Sequence, residues 1–508
     1  MTVAALNAIA AASIAAVCGV AVAGIAAVNT EPWPAGGGGG SAYWMLGDFT
    51  GYDGLEISEV QLLVGGSAQT ISGVSYTRTP TSATGTLFDG NNGNGITCTQ
   101  GLAQYGGFGI IVTLSTAATI DGVKLGAAST PSRLPTAFSV YRSADSGVTW
   151  ELYGHVLVPT GTGTNSLTTA MTIDAYTSGS YRNVRFMGWA FEDTQSSVEF
   201  NELQVYEGAT RRDSGATYTT NTGSSGLSAM NNGNNGDSPT FASKTTMIAS
   251  ASYLDVDLGA DYAVSGLRIA CNNRTWRVPC RLGLYGQPSA GGGYSFRGIL
   301  RGHPYVGDGQ ISATLSIAHR AAMAYGTVIW DAANKTTSAT VNKAGFEVVE
   351  GVSSEQRIRG TVGKSSGKWQ WENRQHKGQQ SNTAGACFFG IVESGVTVSS
   401  SGYTSGNTIG FDTLNANISV GSSGASAGTA ATAGIGDHIT MLLDMDNGTL
   451  KCRINGGSLL TIATGIPAGT WYPFVALLGG ASYDTYAFIG SGALQAMYSL
   501  EAGYSPLA

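Results

Sequence analysis

The sequence predicts a mainly β protein: two copies of one jelly-roll sandwich, then a third, different β-sandwich, all behind a single N-terminal α-helix. Three observations carry this. Segments such as IIVTL, TIDGVKLG, YLDVDLG and AVSGLRIA alternate at period two between Gly- and Asn-rich turns, which is strand patterning. Charged residues make up only 12% beside 74 glycines, which suits short strands joined by tight turns and solvated by hydroxyls and amides. The chain also repeats itself. Glu59 matches Glu202, Asn91 matches Asn234 and Gly93 matches Gly236 at a spacing of 143. From Leu114 and Leu258 onward the spacing is 144, through Gly122 and Gly266, Arg133 and Arg277, Pro135 and Pro279, Tyr141 and Tyr285, to Gly154 and Gly298. One inserted residue explains both numbers, and a period this long is a duplicated domain, not a solenoid unit.

Residues 1–30 come first, with no Lys or Arg before Arg78. The larger apolar side chains Val3, Leu6 and Ile9 recur eleven positions later as Ile14, Val17 and Val20, then as Ile25 and Val28. Eleven residues are three turns of 3.67, which keeps one stripe on one face of a nearly straight helix, with alanine between. The expectation is a helix that packs against copies of itself. A membrane span, a membrane-inserting tip and a retained secretion signal are the competing readings, since about 20 apolar residues suffice to cross a bilayer. The missing flanking Lys and Arg count against the span and the signal. Residues 31–42, EPWPAGGGGGSA, read as a joint: prolines end the helix and glycines make the link flexible.

The repeat then divides the chain into 43–180 and 181–305. The first copy carries YWMLGDFTGYDGLEISEVQLL, LFDGNNGNG, IIVTLSTAATIDGVKLG and FSVYRSADSGVTWELY in that order. These motifs resemble the discoidin-type, galactose-binding-like module. The resemblance implies a jelly-roll that binds sugar through loops at one end of the barrel. In the second copy the FDG turn has become AMNNG and Trp150 aligns with Tyr294, so sugar binding is expected of the first copy more than of the second.

Candidate ligand-binding residues are Asp89, Asn91, Asn92, Asn94 and Arg133, with Asn234 and Arg277 in the second copy. The Asp and Asn oxygens are of the type that ligates Ca²⁺, although Asn-Gly runs are primarily turn formers that tolerate positive φ. No cofactor is expected. Each arginine stands two residues before a proline and is either a ligand contact or half of a structural ion pair. Trp150 is read as core.

Residues 306–325 read as a connector, and 326–508 change vocabulary. GKSSGKWQWE, FFGIVESGVTVSS, GDHITMLLDMDNGTLKCRINGG and GTWYPFVALLGG follow in that order and resemble the SPRY domain, with Gln370 where an aromatic is usual. The resemblance implies a bent β-sandwich that recognises partners through loops and performs no catalysis. The turns Asn447-Gly448 and Asn455-Gly456 suit tight hairpins. The small-residue run 419–434 is expected to remain a loop free to reach a neighbour or ligand.

Chemistry is sparse. Five histidines lie far apart without metal-ligand spacing, and neither a nucleophile elbow nor a P-loop is present. Asp444 and Asp446 are a solvated pair at a strand end on this reading, not a catalytic one. Six scattered cysteines favour reduced, buried thiols over a bridge such as Cys271 to Cys280. A net charge of -7 without a basic run argues against nucleic acid.

The combination resembles bacteriophage tail fibres and tail-tip proteins. It implies a non-enzymatic virion component made in a bacterial cytoplasm, trimeric through its first helix, attached to other tail proteins and binding host cell-surface glycan. The alternatives are a purely architectural tail protein and a bacterial surface glycan-binding protein or enzyme.

Overall fold

The computed structural model describes residues 40–51, 54–99, 102–103, 107–191, 198, 201–233, 239–271, 279–301, 310–311, 314–318, 326–342, 345, 347–349, 355–377, 386–398, 407–434, 437–478, 485–490 and 500–508. The expected helix over 1–30 and the joint up to residue 39 lie outside the described residues. So do Asn234 and Arg277. The joint ends sooner than expected, because Ser41 and Ala42 already belong to strand Ser41–Thr50. Ser41 is tied there by its Oγ, which donates to the Ser143 carbonyl at 2.6 Å.

In the first copy, Ser41–Thr50 lies between Ala137–Ser143 and Ile110–Ala118 in a six-stranded sheet. A second sheet, built on Glu59–Val64 and Gly122–Ala127, faces it. Alternation along Ser41–Thr50 sends Trp44 and Leu46 into the core between the sheets and Tyr43 and Met45 to the outer face.

The second copy repeats this register. Glu59 pairs with Gly126 as Glu202 pairs with Ala270, and a bulge between Val140 and Tyr141 recurs between Leu284 and Tyr285. Leu46 pairs with Val140 as Phe186 pairs with Leu284, which makes Gly188 the counterpart of Asp48. Both residues take positive φ, 53° and 65°.

The structure departs from the expected connector at 306–325. Gln310–Ile311 and Leu315–Ala318 are strands of the second copy. Leu315 pairs with Leu267 as Met171 pairs with Val123, and Ala318 pairs with Ile299 as Asp174 pairs with His155. Strands of two to four residues among small polar side chains carry too little periodicity to be read from sequence.

The third module is a β-sandwich. Its six-stranded sheet centres on Trp471–Leu478 and Ala386–Glu393, and its nine-stranded sheet on Lys368–Lys377 and His438–Asp444. Trp330, Trp371, Phe389, Phe411 and Met441 fill the space between them. Asn455 and Gly456 both take positive φ, as a tight hairpin turn requires. Gln370 is buried because the tail docks on it: its Oε1 accepts from Glu501 N at 2.8 Å and its carbonyl from Leu507 N at 2.9 Å.

The run 419–434 folds onto its own sandwich instead of reaching outward. Ser426–Ala427 pairs with Leu460–Thr464, and Ala425 and Ala433 join the core. Alanine suffices there because backbone pairing, not side-chain volume, holds the segment. Cys280 is a buried thiol outside any disulfide.

Contacts among the described residues join the modules. The guanidinium of Arg78 donates to the carbonyls of Gly326, Thr327 and Val328 at the start of the third sandwich. The outer faces of the two copies meet around Met45, Ile111, Tyr141, Trp150, Tyr285 and Phe296.

Candidate functional site

The hub of the first copy's loop end is the short segment Glu56–Glu59, where strand Leu55–Ile57 ends and strand Glu59–Val64 begins. Glu59 is buried, and its Oε2 accepts from Gly90 N at 3.3 Å, which pins the turn that carries LFDGNNGNG. Burial pushes the Glu59 carboxyl up from its ordinary range, while the Gly90 amide pulls the other way. Glu56, also buried, accepts from Ser129 Oγ at 3.2 Å and Thr130 N at 3.1 Å, which fixes the one-turn helix Pro131–Arg133. One acidic stretch therefore holds both segments that carry candidate residues.

Within the turn, Asp89 Oδ1 accepts from Asn91 N at 2.8 Å, and Asn91 Oδ1 accepts from Gly93 N at 2.9 Å. These are Asx turns, with the side chain standing in for backbone. The Asn91 amide holds the Asp89 carboxyl below the usual range. Both side chains stay exposed, as does Phe88 beside them. Asn92 and Asn94 turn inward, and their Oδ1 atoms are buried without hydrogen-bond partners. Gly126 has to be glycine here, since a Cβ would meet Asn92 Oδ1 at 2.7 Å and Ser58 Oγ at 2.5 Å. The Arg133 side chain is 46% exposed and its contact with Glu56 is long, 4.0 Å, so the guanidinium stays accessible to a ligand.

The structure thus brings Asp89, Asn91 and Arg133 to the surface around one hub and puts Asn92 and Asn94 into the turn's interior. Sequence reading missed Glu56, Glu59 in its pinning role, and Phe88. The Glu59–Glu202 match was the available signal.

In the second copy Glu202 accepts from Gly233 N at 3.1 Å, as the repeat requires, but Arg211 Nη2 also reaches it at 3.0 Å. Arg211 further donates to Asn231 O and binds Asp213. Its counterpart in the first copy is Ala68, so this lock has no equivalent there. Trp150 is fully buried between the copies, which removes it as a sugar platform.

Elsewhere, carboxylates shape turns. Asp444 takes Asn447 N at 3.0 Å and Lys368 Nζ at 3.1 Å, and Asp446 takes Gly367 N at 2.7 Å. Among the described residues, no three or more His, Cys, Asp or Glu side chains cluster as a metal site, and no helix is long and apolar enough to cross a membrane.

No family model and no curated protein matches the chain. Solved structures similar to it include two SPRY domains. One is the SPRY domain of human HERC1, at 20% identity and a TM-score of 0.28, covering 32% of this chain and 96% of that one. The other is the TRIM65 PSpry domain, at 11% identity and a TM-score of 0.24, covering 32% of this chain and 90% of that one. Both are SPRY domains, the family that the motifs beyond residue 326 resemble.

Proposed function

We propose that this protein is a non-enzymatic adhesion component of a virion, of the bacteriophage tail-fibre or tail-tip kind, and that the loop end of its first discoidin-like copy binds host cell-surface glycan. The observation that carries the reading is the exposed group Phe88, Asp89, Asn91 and Arg133, set on rigid supports by Glu56 and Glu59. An apolar ring edge, amide and carboxylate acceptors and a guanidinium are what a sugar's C–H face and hydroxyls engage. The second copy, locked by Arg211, serves as scaffold, and the SPRY-type third module as a further recognition unit.

In this reading residues 1–30 of about three chains pack as a bundle on the virion, beside other tail proteins. Weak single-site binding then gains strength by multivalency, which raises avidity roughly 10²–10⁴-fold. The test is a glycan array run with the full chain and with a chain lacking residues 1–42, each sized by sedimentation. Glycan hits that fade together with assembly on truncation support the proposal. An assembled chain that binds no glycan but does bind other tail proteins would replace it with a purely architectural role, and sugar release from host polysaccharide would replace it with an enzyme.

A further inference from the structure

The third module is gripped at two places, and the two grips are connected to each other. At one, the Arg78 guanidinium of the first copy donates to the carbonyls of Gly326, Thr327 and Val328. At the other, half-buried Leu500 packs against the cluster to which the first copy contributes Met45, Ile111 and Trp150 and the second Tyr285 and Phe296.

Residues 500–508 run between them. Glu501 N donates to Gln370 Oε1 at 2.8 Å, and the Glu501 carboxylate accepts from Arg453 Nε and Nη2 at 3.0 and 2.9 Å. Ser505 and Pro506 pair in parallel with Trp369 and Gln370. The Leu507 side chain is buried in the module's core, its N–H donates to the Gln370 carbonyl at 2.9 Å, and its carbonyl accepts from Thr327 N at 3.3 Å. Lys364, stacked on Trp369 at 3.7 Å, donates from Nζ to the Ala508 carbonyl at 2.5 Å. Thr327 is the joint of the assembly: its N–H holds the segment 500–508 while its carbonyl is held by Arg78. The contacts therefore make a closed circuit, which leaves the first copy at Arg78, passes through Thr327, Leu507, Gln370 and Glu501, and returns at Leu500.

We infer that residues 500–508 are a two-ended strap that fixes the third module against the paired copies, and that freeing either end loosens the other. The strap is the weak link of the circuit. Its pairing with the sheet is two residues long and parallel, and Pro506 brings no N–H to it. A segment held by so few backbone bonds opens at a lower free energy than the sheets beside it, so the module can be released without unfolding. Each seated end also keeps the groups of the other end close together, which makes the second contact effectively intramolecular. The orientation of the third module is thereby coupled to whatever engages residues 326–328 or Leu500.

The test is amide hydrogen exchange of the full chain, read in the peptides that carry Thr327, residues 500–508 and strand His438–Asp444, for wild type, Arg78→Ala and Leu500→Ser. Coupling between two sites is reciprocal, so Arg78→Ala should speed exchange in 500–508, and Leu500→Ser should speed exchange at Thr327, by similar factors of at least about fivefold. Exchange in His438–Asp444 should stay as in wild type in both variants. Substitutions that change exchange only at their own end, or at neither, overturn the inference. So does a rise in His438–Asp444 as large as in 500–508, which would make the segment an ordinary part of the sandwich.

Discussion

Tyr285 Oη lies 2.8 Å from His155 Nδ1 across the boundary between the two copies, and the imidazole stacks on Phe296 at 5.3 Å. Burial pushes the histidine down to about 4, with the Asp48 carboxylate raising it and the Arg281 guanidinium lowering it. Asp174, raised by its own burial, shares the Tyr285 hydroxyl. Unfolded, His155 titrates near 6.5, so the folded chain binds fewer protons between 6.5 and 4. Stability from this group is complete above 6.5, falls as pH drops through that window and levels off below about 4, with a total loss of about 3 kcal/mol. Scanning calorimetry of wild type and His155→Gln should therefore show a shallower decline with acid in the variant over that window. Equal slopes would contradict the buried, neutral histidine.

The paired glutamates should differ in cost. Glu59→Ala removes one acceptor from the Gly90 amide and should destabilise the first copy by about 1–3 kcal/mol. Glu202→Ala also takes one of its two carboxylate partners from Arg211, Asp213 remaining, and should cost about 1.5–3 kcal/mol more. Thermal unfolding ranks them; the reverse order would mean that the two turns are not held alike.

Arg78 holds three successive carbonyls of the third module, and burial lowers it to about 10. Arg78→Ala should raise the overall rate of limited tryptic cleavage of the full chain by several-fold. Arg78→Lys should restore only part of the protection, because a compact ammonium lacks the planar fork that spans several acceptors. Cleavage unchanged in both variants would show that the clamp does not restrain the module.

What was legible in the sequence follows from what repeats locally. Glu59 and Glu202 could be matched because strand alternation and turn residues recur together, and the structure gives them the same pairing and the same amide partner. The short strands at 310–318 stayed hidden, since two paired residues leave no period to read. Asp48, His155, Arg281 and Arg301 were unreadable for a different reason: they differ between the copies, and their meaning arises only when two outer faces meet. At the candidate site, Asp89 and Asn91 were visible as turn formers, whereas the role of Glu56 depends on a helical turn more than 70 residues away in sequence.

The most direct measurement is the binding of the full chain to a surface-displayed host glycan, comparing wild type with Asp89→Ala/Arg133→Ala and with Arg211→Ala in the second copy. The account predicts that the first-copy double variant, folded and assembled as wild type, binds at least about tenfold more weakly, while Arg211→Ala binds as wild type. Undiminished binding by the double variant would contradict it.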